Sequence, residues 1–201
     1  MGLRELKMER TRQLIADKAF ELFTEHGFDQ TTIEQIAAAA EVGPRTLYRY
    51  YQTKEALIVT FVETHLFAAV DRLRAQPDDI PVTDALYALI DSVIATTMSN
   101  EDRVLAVYRL AGCAPSVKAQ FSGMWVRWCD EVADEVARRS KGRSADMTAR
   151  LAAAATNIVI EVSVRAWVES GGKANIRRLA NQALDLLRTG EVPFATPAGR
   201  R

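Results

Sequence analysis

Apolar residues recur along most of the chain every three or four positions, which is the period of an α-helix that packs one face against a core. The first predicted helix, residues 12–26, places four apolar side chains on one face: Ile15, Ala19, Leu22 and Phe23. No segment shows the strict alternation of a half-buried strand. The pattern therefore predicts an all-α fold of about nine helices.

Glycine, proline and capping residues divide this pattern into segments. Gly27 is placed to end the first helix, Thr32 to cap the second and Pro44 to open the third. The later helices are predicted at residues 33–40, 44–51, 54–74, 82–99, 101–112, 115–141, 145–170 and 174–189.

The short helix 44–51 is expected to expose an unusual surface. Leu47 and Tyr51 have the spacing of two inward-facing side chains. The remaining side chains are then left largely outward: Arg45, Thr46, Tyr48, Arg49 and Tyr50. Two short helices joined by a tight turn, the second basic and aromatic, are typical of a helix-turn-helix. A helical bundle with a solvated basic face is the alternative.

Thr11–Leu57 resembles the DNA-binding domain of the TetR family of bacterial regulators. The residues that carry the resemblance occur in order: Thr11-Arg12, Ile15, Ala19, Leu22-Phe23, Gly27-Phe28, Thr31-Thr32, Ile36-Ala37, Val42, Thr46-Leu47-Tyr48, Lys54 and Leu57. Two departures stand out. Glu41 replaces the usual glycine of the turn, where we expect Gly43 to supply the flexibility, and Tyr50-Tyr51 replaces the usual His-Phe pair.

The resemblance implies which residues contact DNA. Arg45 falls where the family often reads bases, and Lys54 falls at a phosphate position. The full predicted set is Thr32, Arg45, Thr46, Tyr48, Arg49, Tyr50 and Lys54. At the N-terminus, Arg4, Lys7 and Arg10 either approach the DNA or belong to a frayed arm.

We expect three parts: a helix-turn-helix domain at residues 1–54, a helical domain at 55–189, and a tail at 190–201 that is rich in proline, glycine and arginine and therefore flexible. The resemblance implies that the second part dimerises and binds an effector. Residues 151–168 are apolar nearly all round, so this helix is expected to be buried on two sides. The predicted homodimer interface is Ile158, Val162, Leu179, Ala183 and Leu187. A bundle within one chain is the alternative. A two-fold dimer would read a palindromic operator in double-stranded DNA.

An effector pocket is the least specific expectation. The candidate residues are Tyr108, Phe121, Trp125, Trp128, Asn157 and Glu161. An aromatic stripe is also typical of an ordinary core, and Glu161 and Arg165 have the spacing of an ion pair within one helix. The pattern after residue 100 resembles the mycofactocin-regulator-like branch of the family, which points to a small apolar or acyl-chain effector such as an acyl-CoA.

Composition narrows the function classes. The net charge is zero, so positive charge is only local, as in Pro44–Lys54. The two cysteines and two histidines do not have metal-ligand spacing, and we recognise no nucleophile–base pair or phosphate loop. We expect no cofactor, no metal, no catalysis, no membrane segment and a cytoplasmic location. The predicted function is a repressor released from its operator by the effector; an effector-independent regulator or an activator is the alternative.

Overall fold

The computed structural model describes residues 2–113, 115–142 and 144–193. Within them the chain forms nine α-helices and no strand, which confirms the all-α prediction. The helices are α1 Leu3–His26, α2 Ile33–Ala39, α3 Pro44–Tyr50, α4 Lys54–Arg74, α5 Val82–Ser99, α6 Glu101–Cys113, α7 Pro115–Arg139, α8 Ala145–Glu169 and α9 Ile176–Thr189. Most of the predicted tail, from residue 194 onward, lies outside the described residues.

The first helix is longer than the apolar pattern predicts, because it begins at Leu3 rather than at residue 12. Its first turn is closed by a capping contact in which the Gly2 N–H donates to the Glu5 carboxylate at 2.8 Å. The added turns consist mainly of leucine, arginine, glutamate and lysine, which are good helix formers. The N-terminal segment is therefore a helix and not a frayed arm.

The chain divides into two compact units, Met1–Asp71 with Asn100–Trp128, and Arg72–Ser99 with Cys129–Arg201. In the first unit, the indole N–H of the fully buried Trp128 donates to the carbonyl of Leu66 at 3.2 Å. In the second unit, α8 packs against α5 and α9. The domain division predicted at residue 54 stays a prediction.

Helix α8 is long and apolar enough to cross a membrane by length and composition, and it is the one such helix among the described residues. Its buried face includes Ala153, Ile160 and Trp167. Because this face packs against α5 and α9, the helix has the environment of a core helix.

A charged cluster anchors the segment after α4 within the second unit. The nearly buried Arg139 guanidinium donates to the carbonyls of Leu73 at 2.7 Å and Gln76 at 3.1 Å. Its Nε lies 2.6 Å from the buried carboxylate of Glu135. Hydrogen bonding from Arg138, assisted by Arg139, holds the pKa of Glu135 below its ordinary value. The cluster thus satisfies the carbonyl of Leu73, in the last turn of α4, and that of Gln76, just beyond the end of the helix.

Candidate nucleic-acid interface

The N-terminus of α2 is fixed by a reciprocal pair of hydrogen bonds. The Gln35 N–H donates to the Thr32 hydroxyl at 3.2 Å, and the Thr32 N–H donates to the Gln35 side-chain oxygen at 2.8 Å. This capping box confirms Thr32 as the N-cap. Ile36 and Ala37 are buried on the inner side of the helix, while Thr32 itself is exposed.

The turn between α2 and α3 is a Schellman motif. The Val42 N–H donates to the Ala37 carbonyl at 2.9 Å, and the Glu41 N–H donates to the Ala38 carbonyl at 3.1 Å. This pairing needs a left-handed residue after the cap, and Glu41 supplies it with a φ of +53°. The expectation that Gly43 provides the flexibility is wrong, because Gly43 has an ordinary φ of −72°.

Helix α3 is held by its two inward residues, as predicted. Leu47 is fully buried, and the buried Tyr51 donates its hydroxyl to the Arg12 carbonyl at 2.9 Å. Burial raises the pKa of Tyr51 above its ordinary value. Since Leu47 and Tyr51 fix the rotation of the helix, its opposite face is turned to solvent.

That solvent face carries the predicted contact residues. Arg45, Tyr48 and Arg49 are exposed, and Thr46 and Tyr50 are half-buried. The Arg49 guanidinium lies over the Tyr50 ring, 5.3 Å from its centroid. The outward face of α3 therefore presents two guanidinium groups and two phenols side by side.

Lys54 has a role that the sequence prediction missed. Its ammonium donates to the carbonyls of Phe28 at 2.7 Å and Thr31 at 3.1 Å, and it lies 4.2 Å from the centroid of the Phe28 ring. The residue predicted as a free phosphate cation thus ties the start of α4 to the loop before α2. An ammonium has three donors, so one N–H remains for an outside acceptor.

The aromatic candidates for an effector pocket lie in the first unit. The rings of Tyr108 and Phe121 are 6.4 Å apart, and those of Trp125 and Trp128 are 5.5 Å apart at nearly a right angle. Trp128 is fully buried with its N–H already bonded to Leu66, so it has the environment of a core residue. Trp125 and Tyr108 are partly exposed.

The polar candidates, Asn157 and Glu161, lie on α8 in the second unit. Glu161 forms an ion pair with Arg165 on the same helix, which was the structural alternative. The side-chain oxygen of Asn157 is buried and has no hydrogen-bond partner among the described residues. Asn157 is therefore the polar candidate with unused hydrogen-bonding capacity.

The predicted dimer residues lie on α8 and α9. Ile158 and Val162 are 44% and 42% exposed, and they continue an apolar stripe that includes the more exposed Met147 and Leu151. On α9 the predicted residues Leu179, Ala183 and Leu187 are half-buried. Leu187 also lines an open groove of about 770 Å³ between α5, α8 and α9. Among the described residues, no cluster of His, Cys, Asp and Glu is placed to hold a metal ion.

The capped α2, the Schellman turn and the exposed basic face of α3 define this chain as a helix-turn-helix protein of the DNA-binding class. Residues 15–60 match the model of the bacterial regulatory proteins of the tetR family, and residues 80–192 match the MftR C-terminal domain. The chain belongs to the TetR family of transcriptional regulators.

The relatives agree with this assignment. The transcriptional regulator MftR of Mycobacterium tuberculosis is 34% identical over 132 residues, which cover 66% of this chain and 67% of the relative. The HTH-type transcriptional regulator TcmR of Streptomyces glaucescens is 30% identical over 177 residues, which cover 83% of this chain and 76% of the relative.

Solved structures share the fold. Thermus thermophilus FadR in complex with lauroyl-CoA has a TM-score of 0.60 at 21% identity, covering 94% of this chain and all of that one (100%). Bacillus subtilis FadR in complex with stearoyl-CoA has a TM-score of 0.63 at 18% identity, and the match covers 89% of this chain and 98% of that one.

Proposed function

We propose that the chain is a homodimeric transcriptional repressor that binds a palindromic operator through α3 and leaves it when a small apolar effector binds. The observation that carries the proposal is the exposed face of α3, where Arg45, Tyr48 and Arg49 point outward because Leu47 and Tyr51 are buried behind them. A short helix with this surface fits the major groove.

The contact residues divide by the chemistry they offer. Arg45, near the start of α3, has the forked donors that match the two acceptors of guanine. The hydroxyls of Thr46, Tyr48 and Tyr50, together with Arg49, suit phosphate and sugar contacts, which position the protein without reading sequence. Thr32 lies at the N-terminus of α2, and the remaining N–H of Lys54 can reach one phosphate.

The dimer is proposed from the exposed stripe on α8. A monomer leaves Ile158 and Val162 in water together with Met147 and Leu151. Pairing these residues, with Leu179, Ala183 and Leu187 of α9, against a second copy removes this apolar area from water. A two-fold dimer then presents two recognition helices about 34–36 Å apart, one turn of DNA.

The effector is proposed to carry an acyl chain. Two proteins of the same fold, the FadR proteins of Thermus thermophilus and Bacillus subtilis, are described in complex with lauroyl-CoA and stearoyl-CoA. The aromatic side chains of Tyr108, Phe121 and Trp125, which all belong to the first unit, suit an apolar ligand. Release from DNA requires that the effector bind the DNA-free conformation more tightly than the DNA-bound one.

The proposal places the chain in the cytoplasm, where the DNA is, and gives it no catalytic step. An effector-independent regulator or an activator would share the DNA contacts. It would keep its affinity for the operator at every effector concentration, so the response to ligand separates the two functions.

The test is a titration of the protein–DNA complex with acyl-CoA. A fluorescent duplex selected from a random library is bound by the protein, and lauroyl-CoA or stearoyl-CoA is added, with free coenzyme A as the control. We expect release by acyl-CoA alone, and release at higher concentrations for Trp125→Ala than for Val126→Ala, its exposed neighbour on α7. If neither acyl-CoA releases the DNA, the acyl-chain effector is contradicted and the effector-independent regulator is favoured.

A further inference from the structure

The N-terminal turns of α1 form one wall of a cleft beside the recognition helix. The cleft has a volume of about 510 Å³ and is lined by Leu3, Arg4, Lys7, Met8, Thr11 and Tyr50. Five of these residues belong to α1, and Tyr50 belongs to α3. The exposed face of α3 therefore continues onto α1.

The charges of this segment are sorted between two sides of the helix. Arg4 and Lys7 line the cleft, and no carboxylate does. The two acids of the segment are engaged elsewhere: Glu5 accepts from the Gly2 N–H at 2.8 Å, and Glu9 lies 3.9 Å from Arg12. The cleft thus has a net positive lining although the chain as a whole is neutral.

This segment of α1 does not belong to the protein core. The first buried residue of the helix is Ile15, and every residue from Gly2 to Arg10 is exposed. These turns extend beyond the buried face of the helix, and they leave the apolar side chains of Leu3 and Met8 exposed. Its position next to Tyr50 gives it access to whatever α3 binds.

We infer that Arg4 and Lys7 form a second contact surface for duplex DNA, which holds the sugar-phosphate backbone flanking the segment read by α3. The occupant is assigned by charge complementarity and by continuity with Tyr50. Phosphate contacts fix position and carry no sequence information, so this surface adds affinity equally to all sequences. The inference rests on the proposed DNA binding by α3.

The test measures how the Kd for duplex DNA depends on salt. Full-length wild type is compared with Arg4→Gln/Lys7→Gln on a library-selected duplex and on a random-sequence duplex, between about 50 mM and 200 mM salt. Each lost phosphate contact removes about 0.9 from the slope of log Kd against log salt. The proposed dimer carries two copies of Arg4 and two of Lys7, so four contacts are lost and we expect the slope to fall by about 3.6 on both duplexes.

Two controls accompany the variant. Lys141→Gln/Lys173→Gln removes the same charge from two exposed lysines outside α1–α3 and should leave the slope unchanged. Arg4→Lys/Lys7→Arg keeps the charges and should keep the slope. Circular dichroism checks that the helix content of each variant is retained.

The failures are distinguishable. The second contact surface is overturned, while DNA binding by α3 stands, in either of two cases. In the first, wild type binds DNA and Arg4→Gln/Lys7→Gln has the same salt slope as wild type. In the second, the slope of Lys141→Gln/Lys173→Gln falls by as much as that of Arg4→Gln/Lys7→Gln. A loss confined to the selected duplex would also overturn it, since it would indicate base reading. If wild type binds neither duplex at any salt, the proposed function fails and this inference fails with it.

Discussion

The guanidinium of Arg103 lies 2.7 Å from the carboxylate of Asp17, joining α6 to α1. The same guanidinium lies 4.8 Å from the ring centroid of Phe20 and 4.3 Å from that of Phe61. Asp17 lies in the segment that matches the tetR-family model, and Arg103 lies in the segment that matches the MftR C-terminal domain. One side chain thus connects the helix that supports α3 with the C-terminal part of the sequence.

We expect Arg103→Ala to lower the free energy of unfolding by roughly 2 kcal/mol, because it removes both the ion pair and the packing on two rings. In a double-mutant cycle with Asp17→Ala, measured by urea unfolding, the coupling should be about 1 kcal/mol. Arg103→Lys keeps the charge but not the planar stacking, so its free energy of unfolding should lie between those of wild type and Arg103→Ala. Strictly additive losses would show that the two residues do not interact.

The strained turn residue can be relieved by substitution. Because Glu41 has a φ of +53°, a region that favours glycine, Glu41→Gly should raise the free energy of unfolding by about 1 kcal/mol. Glu41→Ala is the matched control, since it removes the carboxylate but keeps the Cβ and should give no gain. Equal gains in both variants would assign the effect to the charge instead of the backbone.

Charging the exposed stripe on α8 should break the proposed dimer. Ile158→Glu/Val162→Glu places two carboxylates where apolar contact is proposed, and light scattering should then report the mass of a single chain. Val126→Glu introduces a carboxylate at another exposed apolar position, on α7, and should leave the dimer intact. A dimeric Ile158→Glu/Val162→Glu variant would contradict this interface.

The Glu135 cluster predicts a pH-dependent stability. The pKa of the Glu135 carboxyl in the folded protein lies below the ordinary value of 4.5. The stabilisation that this carboxylate provides is therefore present above pH 4.5 and is lost as the pH falls through the lowered pKa. At pH 7, Glu135→Gln should lower the free energy of unfolding by roughly 2 kcal/mol, because it leaves the nearly buried Arg139 without a carboxylate.

The difference between wild type and Glu135→Gln should therefore shrink as denaturation is repeated at acid pH. Asp134→Asn, an exposed neighbour on α7, should show little difference at either pH. If the difference in the free energy of unfolding between wild type and Glu135→Gln stays constant from neutral to acid pH, the charge of Glu135 does not stabilise the fold.

The helices could be predicted because nearly all of them bury one face, and that face sets a period in the sequence. The outward face of α3 followed from the spacing of Leu47 and Tyr51 alone. The first turns of α1 were missed for the same reason: residues 3–10 are exposed, so they show no buried face, and their helix is set by capping and propensity.

Other features depend on contacts between segments far apart in the sequence. Lys54 looks like a free cation until the carbonyls of Phe28 and Thr31 are brought next to it. Arg103 has no local signal, since Asp17 is distant along the chain. The left-handed Glu41 is a case where the hydrogen bonds of the turn outweigh the preference of the residue, so a search for glycine pointed to Gly43 instead.

The central claim, that α3 reads a palindromic operator, is tested most directly by selecting bound sequences from a random duplex library with wild type and Arg45→Ala at a stated salt concentration. The account predicts a palindrome with half-sites about one DNA turn apart for wild type, and a loss of roughly 1–3 kcal/mol in binding to that site for Arg45→Ala. No enriched motif with wild type, or the same motif and affinity with Arg45→Ala, would contradict it.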